Sequence, residues 1–576
     1  MALMEKSGAV QDGRLWPARD DGRETALIRN PRTDPAVHWL HTPNPKGTMV
    51  RSVIAVVGLA LAAGPLAAQE AMFVLRAGKD TISLERFTRT ATRIDSEVFL
   101  KPNAVRLRFS ATIGADGLIG SLDNQFWMAT DSGSAPARQT AVLTLTGDSA
   151  FAAISGGGQT RTERLGSKPG ALPYINPSFA LIEVFLLRAK LLGGNPAEVP
   201  AFMVNGGQTF PVRVATLGAD SMVLTMAGGE MRLKVDRDGR ILGGAIPAQK
   251  ATIERTSPSS AGMTMEKPDY SAPAGAPYRA IDVTVTTTMG HTLAGTITIP
   301  AGATAAAPAP AVVTITGSGS QDRDEAISLF KGFRPFREFA DSLARRGIAV
   351  LRMDDRGFGG SGGNAATATS ADFAKDIQAG LAWLRNRPEI DRTRLGLIGH
   401  SEGGLIAPMV AKDEGSLKGI VLLAGTAYTG RQILNFQLGN GIKNDTSLRP
   451  AARDSALRAV APRVDSMTAG NPWLKFFAEY EPLATARQVT TPVLILNGAN
   501  DQQVTPDQVP LLVKAFKAAG NRHITAKVLP NLNHLFVYDP DGFPGRYTEI
   551  KSFAVDRPTI GLVVDWLVKQ MTKPTA

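Results

Sequence analysis

Leu395-Gly396-Leu397-Ile398-Gly399-His400-Ser401-Glu402-Gly403-Gly404-Leu405-Ile406-Ala407 passes from a short apolar run, through one serine between glycines, into a helix-like pattern that continues to Lys412. The run ahead of the serine predicts a buried strand at 395–398. The flanking glycines let neighbouring backbones approach closely, as a sharp strand-to-helix turn requires. A serine on such a turn has its hydroxyl pushed out at the end of the strand. The helix start behind it favours developing negative charge, and the Glu402 N–H is a candidate oxyanion donor.

The pattern alone is weak, because Gly359-Gly360-Ser361-Gly362-Gly363 fits it too. Beyond Gly363, however, the chain continues as Asn364-Ala365-Ala366-Thr367-Ala368-Thr369, a loop rather than a helix. Ser361 is therefore assigned to a flexible glycine-rich turn and Ser401 to the nucleophile position.

A serine hydroxyl attacks only when a base takes its proton. The chain has six histidines. His38 and His41 lie in an amino-terminal extension, His291 in an early strand pair, His400 in the turn itself, and His523 opens a strand. His534, in Pro530-Asn531-Leu532-Asn533-His534 beyond the strand at 524–529, can swing over the serine and is the expected base. Asp501 comes after the strand at 493–497 through Gly498-Ala499-Asn500 and is the expected partner of that base. The order Ser, Asp, His is the one expected for a serine raised on a strand-to-helix turn. Asp507, at the start of a helix over 506–519, and Asp539 are the competitors. A second oxyanion donor is expected from Thr316-Gly317-Ser318-Gly319-Ser320, at Ser318 or Gly319. This loop lacks a Walker lysine and a G-x-G-x-x-G pattern, which disfavours phosphate binding.

Outward from the serine, strands at 311–315, 348–353, 395–398, 417–423, 493–497 and 524–529 alternate with helices at 333–346, 371–387 and 558–571. Such alternation predicts a mainly parallel sheet flanked by helices, with ligands at the carboxyl ends of the strands. Alternating residues around Met289-Gly290 add an antiparallel pair. An insertion at about 428–490 carries helical signals and no strand, and reads as a cap, with a solvent-side excursion as the alternative.

Residues 69–255 show short alternating runs with turns, which predicts a smaller β-rich domain. Asp236-Arg237-Asp238-Gly239 reads as a hairpin turn. The apolar stretch at 177–192, interrupted by Glu183, Arg188 and Lys190, predicts a partly buried helix. Residues 256–277 are rich in Ser, Pro, Ala and Gly and read as a linker, placing the catalytic domain at 278–576.

The chain has 576 residues, 43% hydrophobic and 20% charged, as expected of two soluble domains. Its +11 formal charge is scattered, so no nucleic-acid partner is expected. The absence of cysteine excludes disulfides, thiolate metal sites and a cysteine nucleophile. Met49-Val50-Arg51, the apolar run at 53–63 and Pro65-Leu66-Ala67-Ala68 predict a signal peptide at 49–68, cut near Ala68. Export to the periplasm or medium is then expected, with no stable membrane span after cleavage. Residues 1–48 would form an upstream extension of disordered composition; the alternative is that Met1 is the start and 53–63 a buried segment.

Thr316-Gly317-Ser318-Gly319 with Gln321-Asp322-Arg323-Asp324-Glu325, then Asp354-Asp355-Arg356-Gly357-Phe358-Gly359, then Gly399-His400-Ser401-Glu402-Gly403-Gly404, resemble the motifs of bacterial α/β-hydrolase carboxylesterases related to the prolyl oligopeptidase branch. The resemblance covers roughly 275–576 and departs at Thr316, where many relatives carry histidine. It implies the α/β-hydrolase fold, hydrolysis of small-molecule esters with short or medium acyl chains, no cofactor or metal, and the triad Ser401, Asp501, His534. A serine peptidase of the oligopeptidase type, or an acyltransferase with the same triad, are the alternatives. Such peptidases commonly carry a propeller, and 69–255 is short and unrepeated for one.

Overall fold

A computed structural model describes residues 69–571, apart from 102–104, 129–130, 132–135, 157–158, 205–206, 227–228, 264–267, 328–329, 331, 366, 446–447 and 470. The expected extension at 1–48 and signal peptide at 49–68 lie outside the described residues.

Among the described residues the amino-terminal domain is one sheet of fifteen strands, from β1 (Gln69–Ala77) to β15 (Ala251–Thr256). β1 and β15 pair antiparallel in the middle of the sheet, so the domain begins and ends on neighbouring strands. The turn at 236–239 joins two antiparallel strands, and the Asp236 carboxylate accepts from the Asp238 and Arg240 N–H groups. Among the described residues of this domain the sheet carries one α-helix, α1 (Phe179–Leu192), whose side chains at 179–186 and 189 are buried with those of the strands, while Leu191 and Leu192 are exposed.

The interruptions of that helix have a physical account. Glu183 is 0% exposed in its side chain, yet it accepts from Arg89 Nη1 at 2.8 Å, Arg255 Nη1 at 2.8 Å and the Ile241 N–H at 2.9 Å. A buried carboxylate survives when paired and hydrogen-bonded. At the helix start Ser178 caps the Leu181 N–H, and Glu85 accepts from the N–H groups of Phe179 and Ala180. Burial pushes the Glu85 carboxyl up to about 7, against the pull of Ser178, Ser96 and those two amides. The helix is thus buried at 179–186 and exposed at 190–192, in keeping with the partly buried helix expected.

The linker divides its contacts. Met263 packs against Met72, Val74, Leu84 and Phe99 of the first domain. Tyr270 donates to Asp322 Oδ2 at 3.0 Å and lies 4.2 Å from the Arg323 guanidinium, in the second domain.

Among its described residues the carboxyl-terminal domain has eight strands: β16 (Tyr278–Thr286), β17 (Thr292–Pro300), β18 (Ala309–Ile315), β19 (Ala349–Met353), β20 (Ile390–His400), β21 (Gly419–Leu423), β22 (Val493–Gly498) and β23 (Ile524–Leu529). Their order is β16-β17-β19-β18-β20-β21-β22-β23. β16 and β17 form the expected antiparallel pair, Ile281 opposite Ile297, and the remaining strands from β19 on are mutually parallel. The central strands are buried on both faces, as apolar clusters lie on either side. The helices are α2 (Pro335–Ala344), α3 (Ser370–Arg385), α4 (Glu402–Asp413), α10 (Gln508–Ala518) and α11 (Arg557–Met571). Between β21 and β22 the insertion is helical: α5 (Gly430–Asn444), α6 (Pro450–Arg458), α7 (Val460–Ala469), α8 (Pro472–Glu479) and α9 (Pro482–Ala486).

Candidate active site

β20 runs straight into α4 through Ser401, whose φ of 54° and ψ of −114° lie in a region that non-glycine residues avoid. The Ser401 N–H donates to the Leu423 carbonyl at 2.8 Å, which ties the strained residue to the next strand. A Cβ on Gly399 would run into the Gly403 backbone, and one on Gly403 into the carbonyl of Ile315. Glycine is therefore required at both positions for the strand, turn and helix to stack so closely.

Ser401, His534 and Asp501 come together from the carboxyl ends of β20, β23 and β22. His534 Nε2 stands 3.0 Å from Ser401 Oγ, and His534 Nδ1 stands 2.8 Å from Asp501 Oδ2. Asp501 Oδ1 accepts from the N–H groups of Gln503 at 2.8 Å and Val504 at 2.9 Å, so the carboxylate cannot turn away. With Nδ1–H given to the Asp501 carboxylate, the Nε2 lone pair faces the serine hydroxyl. The competitors are engaged elsewhere: Asp507 Oδ2 accepts from Tyr428 Oη, and Asp539 Oδ2 from Asn533 Nδ2.

The loop after β18 is clamped by charged residues further along the chain. Asp355 accepts from Thr316 Oγ1 at 2.8 Å and the Gln321 N–H at 2.9 Å. Burial pushes its carboxyl well above the usual range despite those two donors. Arg323 grips Asp354 through Nε and Nη2, both at 2.9 Å, and Asp324 pairs with Arg352 and Arg334. The Gly317 N–H is taken by Glu325 Oε1 at 2.9 Å. Gly317 thus leaves the set of oxyanion donors, and the next amides of the loop are those of Ser318 and Gly319. Gly317 packs so near the serine that a Cβ on it would stand 3.3 Å from Ser401 Cβ. A recess of roughly 30 Å³ beside Gly317, Gly319 and Glu402 is lined by Leu293, Ile315 and Met353 together with Asp354, Asp355, Arg356 and Asp376.

Glu402 also meets the helical insertion. Its Oε1 accepts from Trp473 Nε1 of α8 at 2.7 Å and from Ser370 Oγ at 2.6 Å. Asn440 Nδ2 of α5 donates to Gln502 Oε1 at 2.9 Å, one residue beyond Asp501. The insertion is thereby fixed at the carboxyl ends of β20 and β22.

Ser361 is not the flexible turn serine expected. It is 3% exposed, donating to the Asp354 carbonyl at 2.7 Å and accepting from the Ala294 N–H at 2.9 Å. The loop residue Phe358 packs on the amino-terminal core, and Arg138 Nη2 of that domain donates to the Gly359 carbonyl. Ser361→Ala strips the half-buried Ala294 amide of its acceptor and the buried Asp354 carbonyl of a donor, and should cost about 1–3 kcal/mol while kcat stays within a few-fold. Urea melts and ester turnover check this, and unchanged stability would contradict it.

His400 carries a role that the sequence did not disclose. Its Nδ1 lies 2.6 Å from Glu325 Oε1, and its Nε2 donates to the His534 carbonyl at 2.9 Å. Burial alone would push this imidazole down; the Glu325 charge and hydrogen bond outweigh it and hold the group above its usual value. Glu325 lies 75 residues away in sequence, so no local spacing points to it. Among the described residues no cluster of His, Asp and Glu is arranged to hold a metal, and no helix is long and apolar enough to cross a membrane.

The strand order, the antiparallel second strand and the serine on the β20–α4 turn give the carboxyl-terminal domain the α/β-hydrolase fold. Residues 332–541 match the family described as serine aminopeptidase, S33. The chain is 28% identical to Esterase EstD of Thermotoga maritima over 310 residues, 53% of this chain and 70% of that protein. It is also 28% identical to Dipeptidyl aminopeptidase BIII of Pseudoxanthomonas mexicana over 200 residues, 34% of this chain and 27% of that protein. Among solved structures it is similar to the Pyrococcus furiosus esterase Pf2001, at 20% identity and a TM-score of 0.37, over 53% of this chain and 97% of that one.

Proposed function

We propose that the protein is a serine esterase that hydrolyses small carboxylic esters through an acyl-enzyme on Ser401. The observation that carries the reading is the hydrogen-bonded chain from Ser401 Oγ through His534 to Asp501. Ser401 Oγ attacks the ester carbonyl as His534 Nε2 takes its proton, and Asp501 holds the imidazolium that forms. The Glu402 N–H, with that of Ser318 or Gly319, receives the oxyanion. His534 then protonates the leaving alcohol. Water, deprotonated by the same imidazole, attacks the acyl carbon and frees Ser401.

Two observations favour esters over peptides. The amino-terminal domain is one continuous sheet rather than a ring of blades. The likeness to Esterase EstD runs over 70% of that protein, whereas the likeness to the aminopeptidase runs over 27%. α5 to α9 serve as a cap, held beside the serine by Trp473 and beside Asp501 by Asn440. A panel of aryl esters of increasing acyl length, run beside aminoacyl and peptidyl amides, tests this. The esters should give the highest kcat/KM, and amides turned over as well as esters would shift the reading to a peptidase. The reading of 49–68 as a signal peptide adds export. Protein recovered outside the cytoplasm should begin near Gln69, and an intact leader on cytoplasmic protein would end that part.

A further inference from the structure

The groups that hold the reacting atoms are themselves held by a second ion pair. Glu325, in the loop after β18, is 2% exposed and sits at a φ of 58°. One oxygen, Oε1, contacts both the Gly317 N–H and His400 Nδ1, at 2.9 Å and 2.6 Å. The other nitrogen of His400 donates to a carbonyl, which can only accept. For Oε1 to accept from both neighbours, His400 must carry both ring protons. The Glu325 contact that holds the His400 imidazole above its usual value agrees with a proton on Nδ1. It lies against the site: the His400 and His534 rings are 4.9 Å apart, and Gly317 packs on Ser401.

We propose that Glu325 and His400 are positioning residues that act as one strut, fixing the oxyanion loop through Gly317 and the base loop through the His534 carbonyl. Neither touches the reacting atoms. Their effect is on geometry: the spacing between Ser401, His534 and the amides at 318 and 319 is set from below by the strut and from the side by Asp355. Small displacements of such groups are costly, since a shift of about 1 Å can lower a rate roughly a hundredfold.

The inference rests on Ser401 and His534 being nucleophile and base, and the test separates the two. Fluorophosphonate labelling of the wild-type protein comes first; label elsewhere than Ser401 removes the reading of the site itself. With that reading intact, Glu325→Gln and His400→Gln are compared with wild type by kcat, KM and thermal melting. A Gln at 325 keeps the shape, but one neutral oxygen no longer holds a doubly protonated imidazole. Each variant should melt cooperatively and lose about 10–100-fold in kcat, with KM within about twofold. The double variant should lose no more than the worse single one, because the two act as a unit. A kcat within about twofold of wild type in either single variant would overturn the proposal. So would a loss carried by KM, losses that multiply in the double variant, or failure of either single variant to fold, which would assign the pair to the core alone.

Discussion

Ser401→Ala should fold, lose all fluorophosphonate labelling and turn over esters roughly 10⁴-fold or more slower than wild type. The residual rate would come from the oxyanion donors, which the substitution leaves in place. His534→Ala should fall to the same level, because the serine then keeps its proton, and the double variant should be no worse. Asp501→Asn keeps the shape but presents an amide to His534 Nδ1. The imidazole then favours the wrong tautomer, and a loss near 10⁴ is expected by the precedent of the serine protease triad. Peptide mapping of the labelled protein is the deciding measurement. Label on Ser361, or undiminished labelling of Ser401→Ala, would overturn the assignment.

The second large effect is on stability and lies in the other domain. Glu183→Ala removes the carboxylate to which Arg89 and Arg255 are paired, and leaves two cations largely enclosed. Arg255 has little room to escape, since its guanidinium lies 5.0 Å from the Phe73 ring and 5.3 Å from that of Phe87. Breaking a buried pair by removing one partner costs about 3–5 kcal/mol. For a domain of this size that is a fall of roughly 10 °C in its melting transition. Calorimetry should show this transition moved while ester turnover at 25 °C is nearly unchanged, and an unmoved transition would show that the pair contributes little.

The catalytic domain was legible because its signals are local. A short apolar run, a glycine-flanked serine and a helical pattern lie within a dozen residues, and the positions of Asp501 and His534 are set by the strands ahead of them. The short helices α7 and α9 carried no comparable pattern. What the sequence hid depends on partners far along the chain. Glu183 reads as an interruption of an apolar helix because Arg89 and Arg255 are 94 and 72 residues away. Ser361 reads as a turn residue because the amide it accepts from belongs to β17. Glu325 and His400 belong to motifs visible in the sequence, yet nothing in either spacing joins them.

The placement of β1 between β15 and the strand beside it, β2 (Asp80–Arg89), has a consequence for the order of events during synthesis. β2 is available almost at once, but β15 is among the last parts of the domain to be made. Until then one side of β1 presents a row of unsatisfied amides and carbonyls, able to pair with any extended chain nearby. Closing it is a contact between distant parts of the sequence, which makes the step slow. The domain therefore keeps an open seam for most of its production, and its last strand acts as the zip.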